Sequence, residues 1–469
     1  MSLTFFLFVF VFFFFYACKG ERQWALATIG ATFFEAASPI LINAGGRVTG
    51  FQSAYLLLPI GLLHVYGAAM RESRERAWAG RGDRANGFTV LDRADTLMIM
   101  LTLVGVAGAI LLPRLFSGEM PVTQSSLGYS PLAPSGKNYI QATYMVANAF
   151  LYFLFSRSVG RGVLTLTDCL RTMAVWTWVV IGLGVYQVLG SFVPLPWPSP
   201  IFNSNLAYSQ LFNQRMLGLV RMSSTYTEPS ILAMHFVGLL ALFGLGLRNT
   251  RLAAAILFCL LISTSATAYG GIALLVVVYV AWSGRTVTTR VLATSLFVAG
   301  IAFAIVLSTQ IGLESLSVGK LVAAKMHSSS GENRSFMDLV SIKAFIQSMG
   351  LGVGIGSTRA SSFLVTFAAC TGIPGLICLG GFFYTLLGKG YRSELPEMRA
   401  LALASLGFIG AWIISVPDLT DTLIWVMLAM LRAGTRPAGA YALNGARAQP
   451  YNQPEPVAAR PSQLHPGGA

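Results

Sequence analysis

Residues 94–113 read ADTLMIMLTLVGVAGAILLP, twenty positions whose only charge is Asp95 near the start and whose last residue is Pro113. Coiled as a helix at about 1.5 Å per residue, such a run crosses the roughly 30 Å of hydrocarbon in a bilayer. Comparable apolar runs recur at 3–18, 24–43, 49–70, 139–156, 172–191, 229–247, 252–264, 268–283, 291–309, 362–387, 400–416 and 419–432. The 469 residues are 55% hydrophobic and 11% charged, whereas a soluble chain carries about 25% charge. No hydrophilic stretch is long enough to fold as an independent domain. The expected fold is therefore all-α: a polytopic integral membrane protein with about thirteen transmembrane helices. Its membrane domain spans 1–432. Residues 433–469, rich in Ala, Pro, Gly and Gln, read as a disordered cytoplasmic tail. The short pairs 252–264/268–283 and 400–416/419–432 read as spans, tilted hairpins or re-entrant elements.

The net charge of +14 does not point to nucleic acid, because the basic residues sit in short loops between apolar runs and not on one solvated face. That pattern orients membrane proteins. With the segments after alternate spans and the tail placed in the cytoplasm, these hold 22 of the 32 Lys and Arg, among them Arg71, Arg74, Arg76, Arg81 and Arg84. The amino terminus then lies outside and the carboxyl terminus inside. The opening run Leu3–Cys18 has no basic start and no small-residue cleavage site, and reads as a retained first span. Five cysteines and four histidines are scattered without metal-ligand spacing, so neither a disulfide framework nor a histidine metal site is expected.

The remaining ten basic residues carry the chemical signal. Seven fall in two long outer loops, about 192–228 and 310–361: Arg215 and Arg221 in the first, Lys320, Lys325, Arg334, Lys343 and Arg359 in the second. The planar fork of arginine suits phosphate oxygens, so two basic loops facing each other would hold an anionic lipid head group. In Arg221-Met-Ser-Ser-Thr-Tyr-Thr-Glu228-Pro229-Ser230, Glu228 reads either as a helix cap ahead of Pro229 or as a carboxylate able to take a proton from a sugar hydroxyl. Trp197, Tyr208 and Tyr226 offer aromatic faces for sugars or for interfacial anchoring.

The second loop carries an amphipathic segment, 335–349, read as a surface helix. Its glycine run Gly350, Gly352, Gly354 and Gly356 reads as a membrane turn or as backbone open to a ligand. It is not a dinucleotide fingerprint, since no βαβ unit surrounds it. Gly372-Ile-Pro374-Gly375 marks a kink in the span that follows. Glu35, His235, Asp418 and Asp421 are ionisable groups in or near spans, and functional candidates on that ground alone.

Four ordered stretches, Arg221–Ala233, Leu261–Gly271, Gly331–Gly356 and Ser361–Gly375, resemble the O-antigen polymerase and O-antigen ligase superfamily of bacterial envelope glycosyltransferases. The resemblance covers about 215–390; the first 200 residues match in hydropathy only. It implies an inner-membrane enzyme with a large periplasmic loop. It also implies undecaprenyl-diphosphate-linked oligosaccharide as substrate and glycosidic bond formation without a metal or other cofactor. Arg221, Arg334 and Arg359 would grip the diphosphate, with support from Arg215, Gly350, Gly352 and Gly354; Glu228 would activate the acceptor hydroxyl. A flippase and a chain-length regulator would be partners beside membrane lipid. Two departures stand out. Ser361-Ser362 occupies the place where the ligases carry a His, which favours a polymerase. Ser265 is followed by Ala266 where an Arg is common, so that residue's role does not carry over.

Overall fold

The computed structural model describes residues 2–44, 47–78, 91–125, 128–193, 195–206, 210–216, 219–283, 329–415 and 420–434. The described chain is mainly helical. Four helices are long and apolar enough to cross a membrane: Arg93–Leu115, Leu166–Gly190, Pro229–Gly246 and Phe363–Tyr391. Phe6–Cys18, Thr250–Ile262, Ala266–Val280 and Thr422–Gly434 are shorter apolar helices, and Glu21–Ala31, Leu58–Trp78, Gly136–Gly160, Ser329–Gln347 and Pro396–Ser415 pack with them. Four described helices thus meet the length and hydropathy of a span. The expected span 291–309, Lys320, Lys325 and the tail from 435 lie outside the described residues.

The helices are apolar outward as well as inward, as a bilayer requires. On Phe6–Cys18, Phe6, Phe10 and Phe13 are buried, whereas Phe8, Phe12 and Phe15 are exposed at 65–77%. Backbone groups within that environment must be satisfied internally, and the caps do this where helices begin. Asp92 and Asp95 form a reciprocal capping box at the start of Arg93–Leu115, and the Thr165 hydroxyl accepts from the Asp168 amide.

The expected span 24–43 is interrupted. Its helix, Glu21–Ala31, stops ahead of Ser38-Pro39, and Ile40–Ala44 runs as a strand between Ser2–Leu3 and Arg47–Gly50, all antiparallel. Proline disfavours helix at the residue before it, and the β-branched residues Ile40 and Ile42 suit a strand. Two further hairpins, Pro121–Ser125 with Gly128–Pro131 and Arg215–Met216 with Leu219–Val220, lie at the ends of helices.

Helix directions place these hairpins at one end of the bundle and an ionic network at the other. There Arg161 reaches Glu21 at 3.1 Å and pairs with Glu72, while Lys389 and Arg432 hold Asp92 and Asp95. Between the ends runs one apolar core that includes Trp24, Phe155, Tyr152, Phe382, Phe408, Trp412 and Trp425.

Candidate functional site

The hairpin end carries the residues singled out in the sequence. Arg221 follows the 215–220 hairpin, and its backbone N–H donates to the Gln214 carbonyl (2.8 Å). Its half-buried guanidinium donates from Nη1 to Gln214 Oε1 (2.6 Å). Nε donates to Ser263 O (3.2 Å) and Thr264 Oγ1 (3.1 Å), and Nη2 to Thr264 O (3.3 Å). Ser263 and Thr264 are the break between two short apolar helices, so Arg221 takes up carbonyls that the helix end leaves free. Burial pushes this guanidinium down from its ordinary value, against the opposing pull of the Glu228 carboxylate. Arg215 lies on the same hairpin, opposite Val220, with its side chain exposed.

The stretch from Arg221 to Glu228 is laced in place. Both the Ser223 and Ser224 amides donate to Gln187 Oε1 (2.9 and 2.8 Å), and Gln187 Nε2 donates to Ser223 Oγ (3.0 Å). Thr225 Oγ1 donates to Phe33 O (2.5 Å), and the Ala36 amide donates to Thr225 O (3.0 Å). Glu228 stands at the N-cap position of the 229–240 helix in extended conformation, but its side chain caps no amide. It accepts instead from the Ser230 hydroxyl. The capping reading of its side chain is therefore not the one the geometry takes.

Arg334 and Arg359 belong to a second unit. Arg334 is exposed in the Ser329–Gln347 helix, and Arg359, also exposed, donates from its backbone N–H to Thr123 O (2.8 Å). One turn after Arg334, Asp338 accepts from the Ser361 amide (2.8 Å) and hydroxyl (2.7 Å), and Ser341 Oγ lies 3.1 Å from Thr358 Oγ1. The helix turns its small residues Ser341 and Ala344 inward and exposes Leu339, Ile342 and Ile346. An outward apolar stripe suits lipid. No hydrogen bond or ion pair among the described residues joins Arg221 to Arg334.

The amides of Gly350, Gly352 and Gly354 are taken up within the fold. Gly350, Gly352, Gly354 and Gly356 all have left-handed backbone, φ between +75° and +91°, where only glycine sits without strain. Their segment repairs a broken helix. Gly372 is non-helical and Pro374 has no N–H, so the carbonyls of Ala369 and Cys370 lose their helical donors. Val353 N–H donates to Ala369 O (2.9 Å) and Gly354 N–H to Cys370 O (2.9 Å), while Ile373 N–H donates to Gly350 O (2.8 Å). The Gly350 and Gly352 amides go to Phe345 O (3.0 Å) and Ser348 Oγ (2.9 Å). The reading of Gly350, Gly352 and Gly354 as ligand-facing amides is corrected to a structural one.

A third group was visible in the sequence only as separate residues. Glu35 follows the 21–31 helix, His235 lies in the second turn of 229–240, and Asp421 precedes 422–434. One donor atom from each falls within 4.8 Å of the others. His235 Nε2 is 2.9 Å from Asp421 Oδ2, and both side chains are buried. The Tyr226 ring lies tilted against the His235 ring, centroids 4.3 Å apart. Tyr55 donates to Asn148 Oδ1 (2.8 Å) and Thr420 O (3.1 Å) beside them. Asp418 lies outside the described residues.

The fold and these sites define a helical protein with four helices long and apolar enough to cross a membrane, a polar end built around Arg221 and a buried His–carboxylate cluster. The chain matches no protein-family model, and a search of curated proteins gives no match either.

Proposed function

We propose that the protein is a polysaccharide polymerase of the bacterial inner membrane. It joins undecaprenyl-diphosphate-linked oligosaccharide units on the periplasmic face. The amino terminus and the hairpin end face the periplasm, and the ionic end faces the cytoplasm, where the Lys/Arg-rich loops belong. Arg221, Arg334 and Arg359 hold the donor diphosphate, and their charge stabilises it as it leaves. Glu228 takes the proton of the acceptor hydroxyl, and no metal enters that step.

The observation that supports this reading is the pairing of the four family-like stretches. Arg221 bonds the first to the second through Ser263 and Thr264. The glycine segment and Asp338 bond the third to the fourth through Ala369, Cys370 and Ser361. The exposed apolar stripe on the helix that carries Arg334 fits a polyprenyl chain beside its charged head. A second reading, a transporter or flippase of a lipid-linked glycan, is favoured by the buried Glu35–His235–Asp421 group, since ionisable clusters inside a span mark translocation paths. An O-antigen-type ligase is the third, disfavoured by Ser361-Ser362 in place of a His.

The test is the glycan profile of cells carrying Arg334→Ala with protein level confirmed. Loss of long polymer with accumulation of single lipid-linked units supports the polymerase. Accumulation of those units on the cytoplasmic leaflet supports the flippase. Normal polymer in a gene deletion sinks both.

A further inference from the structure

Glu35, His235 and Asp421 take no part in the polymerase reading, and their geometry points to a site of their own. We propose that the three side chains bind one first-row divalent transition cation of the zinc class. His235 and Asp421 are aimed from the far side by backbone. His235 Nδ1 lies 2.9 Å from the Ile231 carbonyl, which can only accept, so Nδ1 carries a proton and Nε2 is the atom turned inward. Asp421 Oδ1 accepts from the Leu423 amide (3.0 Å), leaving Oδ2 turned inward. Orientation of this kind by the outer atom of each ligand is the usual support of a metal site.

Nε2 and Oδ2 stand 2.9 Å apart as a buried His–carboxylate pair, and a cation bound between them would displace the proton they share. Donors bound at about 2.0–2.2 Å to a tetrahedral zinc stand roughly 3.3–3.5 Å apart, a spacing this group meets by small side-chain shifts, since all three atoms lie within 4.8 Å.

Tyr226 supplies an independent sign. It is fully buried, its hydroxyl has no hydrogen-bond partner among the described residues, and the charged groups nearest it are those of Asp421 and Glu35. A water completing the cation's fourth position would satisfy it. One nitrogen and two carboxylates suit zinc better than magnesium or calcium, which favour larger all-oxygen sets. The cation would tie three distant segments together about two turns below Glu228, and so hold the floor of the polar end.

The experiment measures zinc bound to the purified full-length protein in detergent after loading with Zn2+ and exhaustive dialysis. Absorption after Co2+ loading is the second readout. The expected result is about one zinc per chain, a visible Co2+ band of a four-coordinate N/O site, and a melting temperature that rises with Zn2+. His235→Gln and Asp421→Asn abolish all three; His64→Ala changes none. Folded wild-type protein with no stoichiometric zinc and no Co2+ band overturns the proposal, whether or not the variants fold. Zinc retained by the His235→Gln/Asp421→Asn double variant also overturns it, as does a His235 that merely titrates with protons while metal leaves the melting temperature unchanged. No glycan substrate enters these measurements, so their outcome is separate from that of the polymerase test.

Discussion

Arg432, in the last described helix, grips Asp95 at the start of the 93–115 helix with two parallel bonds, Nε to Oδ1 at 2.8 Å and Nη2 to Oδ2 at 2.6 Å. Both side chains are about 5% exposed, and Tyr152 Oη adds a bond to Asp95 Oδ1 (3.2 Å). A buried pair owes much of its value to avoiding an unpaired charge. Arg432→Met alone should therefore cost about 3–5 kcal/mol, read as a fall in unfolding free energy in detergent. The double variant Arg432→Met/Asp95→Leu should recover most of that loss. A single variant within about 0.5 kcal/mol of wild type, the range of ordinary surface changes, would show the grip to be ornamental.

The same end makes stability depend on acid. Burial by itself would raise the Asp92 carboxyl. The Lys389 hydrogen bond (2.7 Å), the Asp95 backbone bond and the Arg432 charge outweigh it and hold Asp92 below the usual carboxylate range. A group lowered in the folded state stabilises when ionised: its share is complete above about pH 4 and disappears as pH falls through the folded value. Melting temperature in detergent should be flat near neutrality and drop at the acidic end. Asp92→Asn should lower the plateau and make the drop shallower; an unchanged slope would remove Asp92 as a cause.

Glycines in the repaired helix break should be irreplaceable. At Gly354, φ is +91° and an added Cβ would stand 2.7 Å from the Gly108 carbonyl oxygen and 2.9 Å from the Pro113 ring. Left-handed strain alone costs about 1–2 kcal/mol, and two backbone segments must also separate. Gly354→Ala should express poorly or melt many degrees lower. Gly380→Ala, with nothing within 4 Å of the new methyl group, should be neutral or slightly stabilising. Equal melting temperatures for the two variants would contradict the helix-repair account.

Much of the helical frame was legible in the sequence because lipid demands long apolar runs. The expected spans 94–113, 229–247 and 362–387 correspond to Arg93–Leu115, Pro229–Gly246 and Phe363–Tyr391. The run 24–43 misled because Ile40-Leu41-Ile42 is as apolar as a helix and as β-branched as a strand, and periodicity does not separate the two in a short run. The glycine amides misled for another reason. Their acceptors, Ala369 and Cys370, lie in the next span, and nothing local announces a helix that needs its carbonyls satisfied from outside. Glu35, His235 and Asp421 were each visible, but only tertiary packing brings them together.

Arg221 and Arg334 separate support from substrate contact. Arg221 bonds four acceptors on three residues through Nε, Nη1 and Nη2, and the single ammonium of a lysine cannot span them. Arg221→Lys should therefore loosen the 215–220 hairpin, seen as faster amide exchange there and a lower melting temperature. Polymer yield should fall with it, by tenfold or more if one charge-assisted contact to the leaving diphosphate is lost, about 1.5–3 kcal/mol. Arg334 is exposed and takes no part in the bonds that hold its helix to Ser361 and Thr358. Arg334→Ala should keep the wild-type melting temperature and still lose long polymer. If Arg334→Ala makes normal polymer while Arg221→Lys loses stability and yield in proportion, the arginines of the polar end serve the fold alone, and the diphosphate role must be withdrawn.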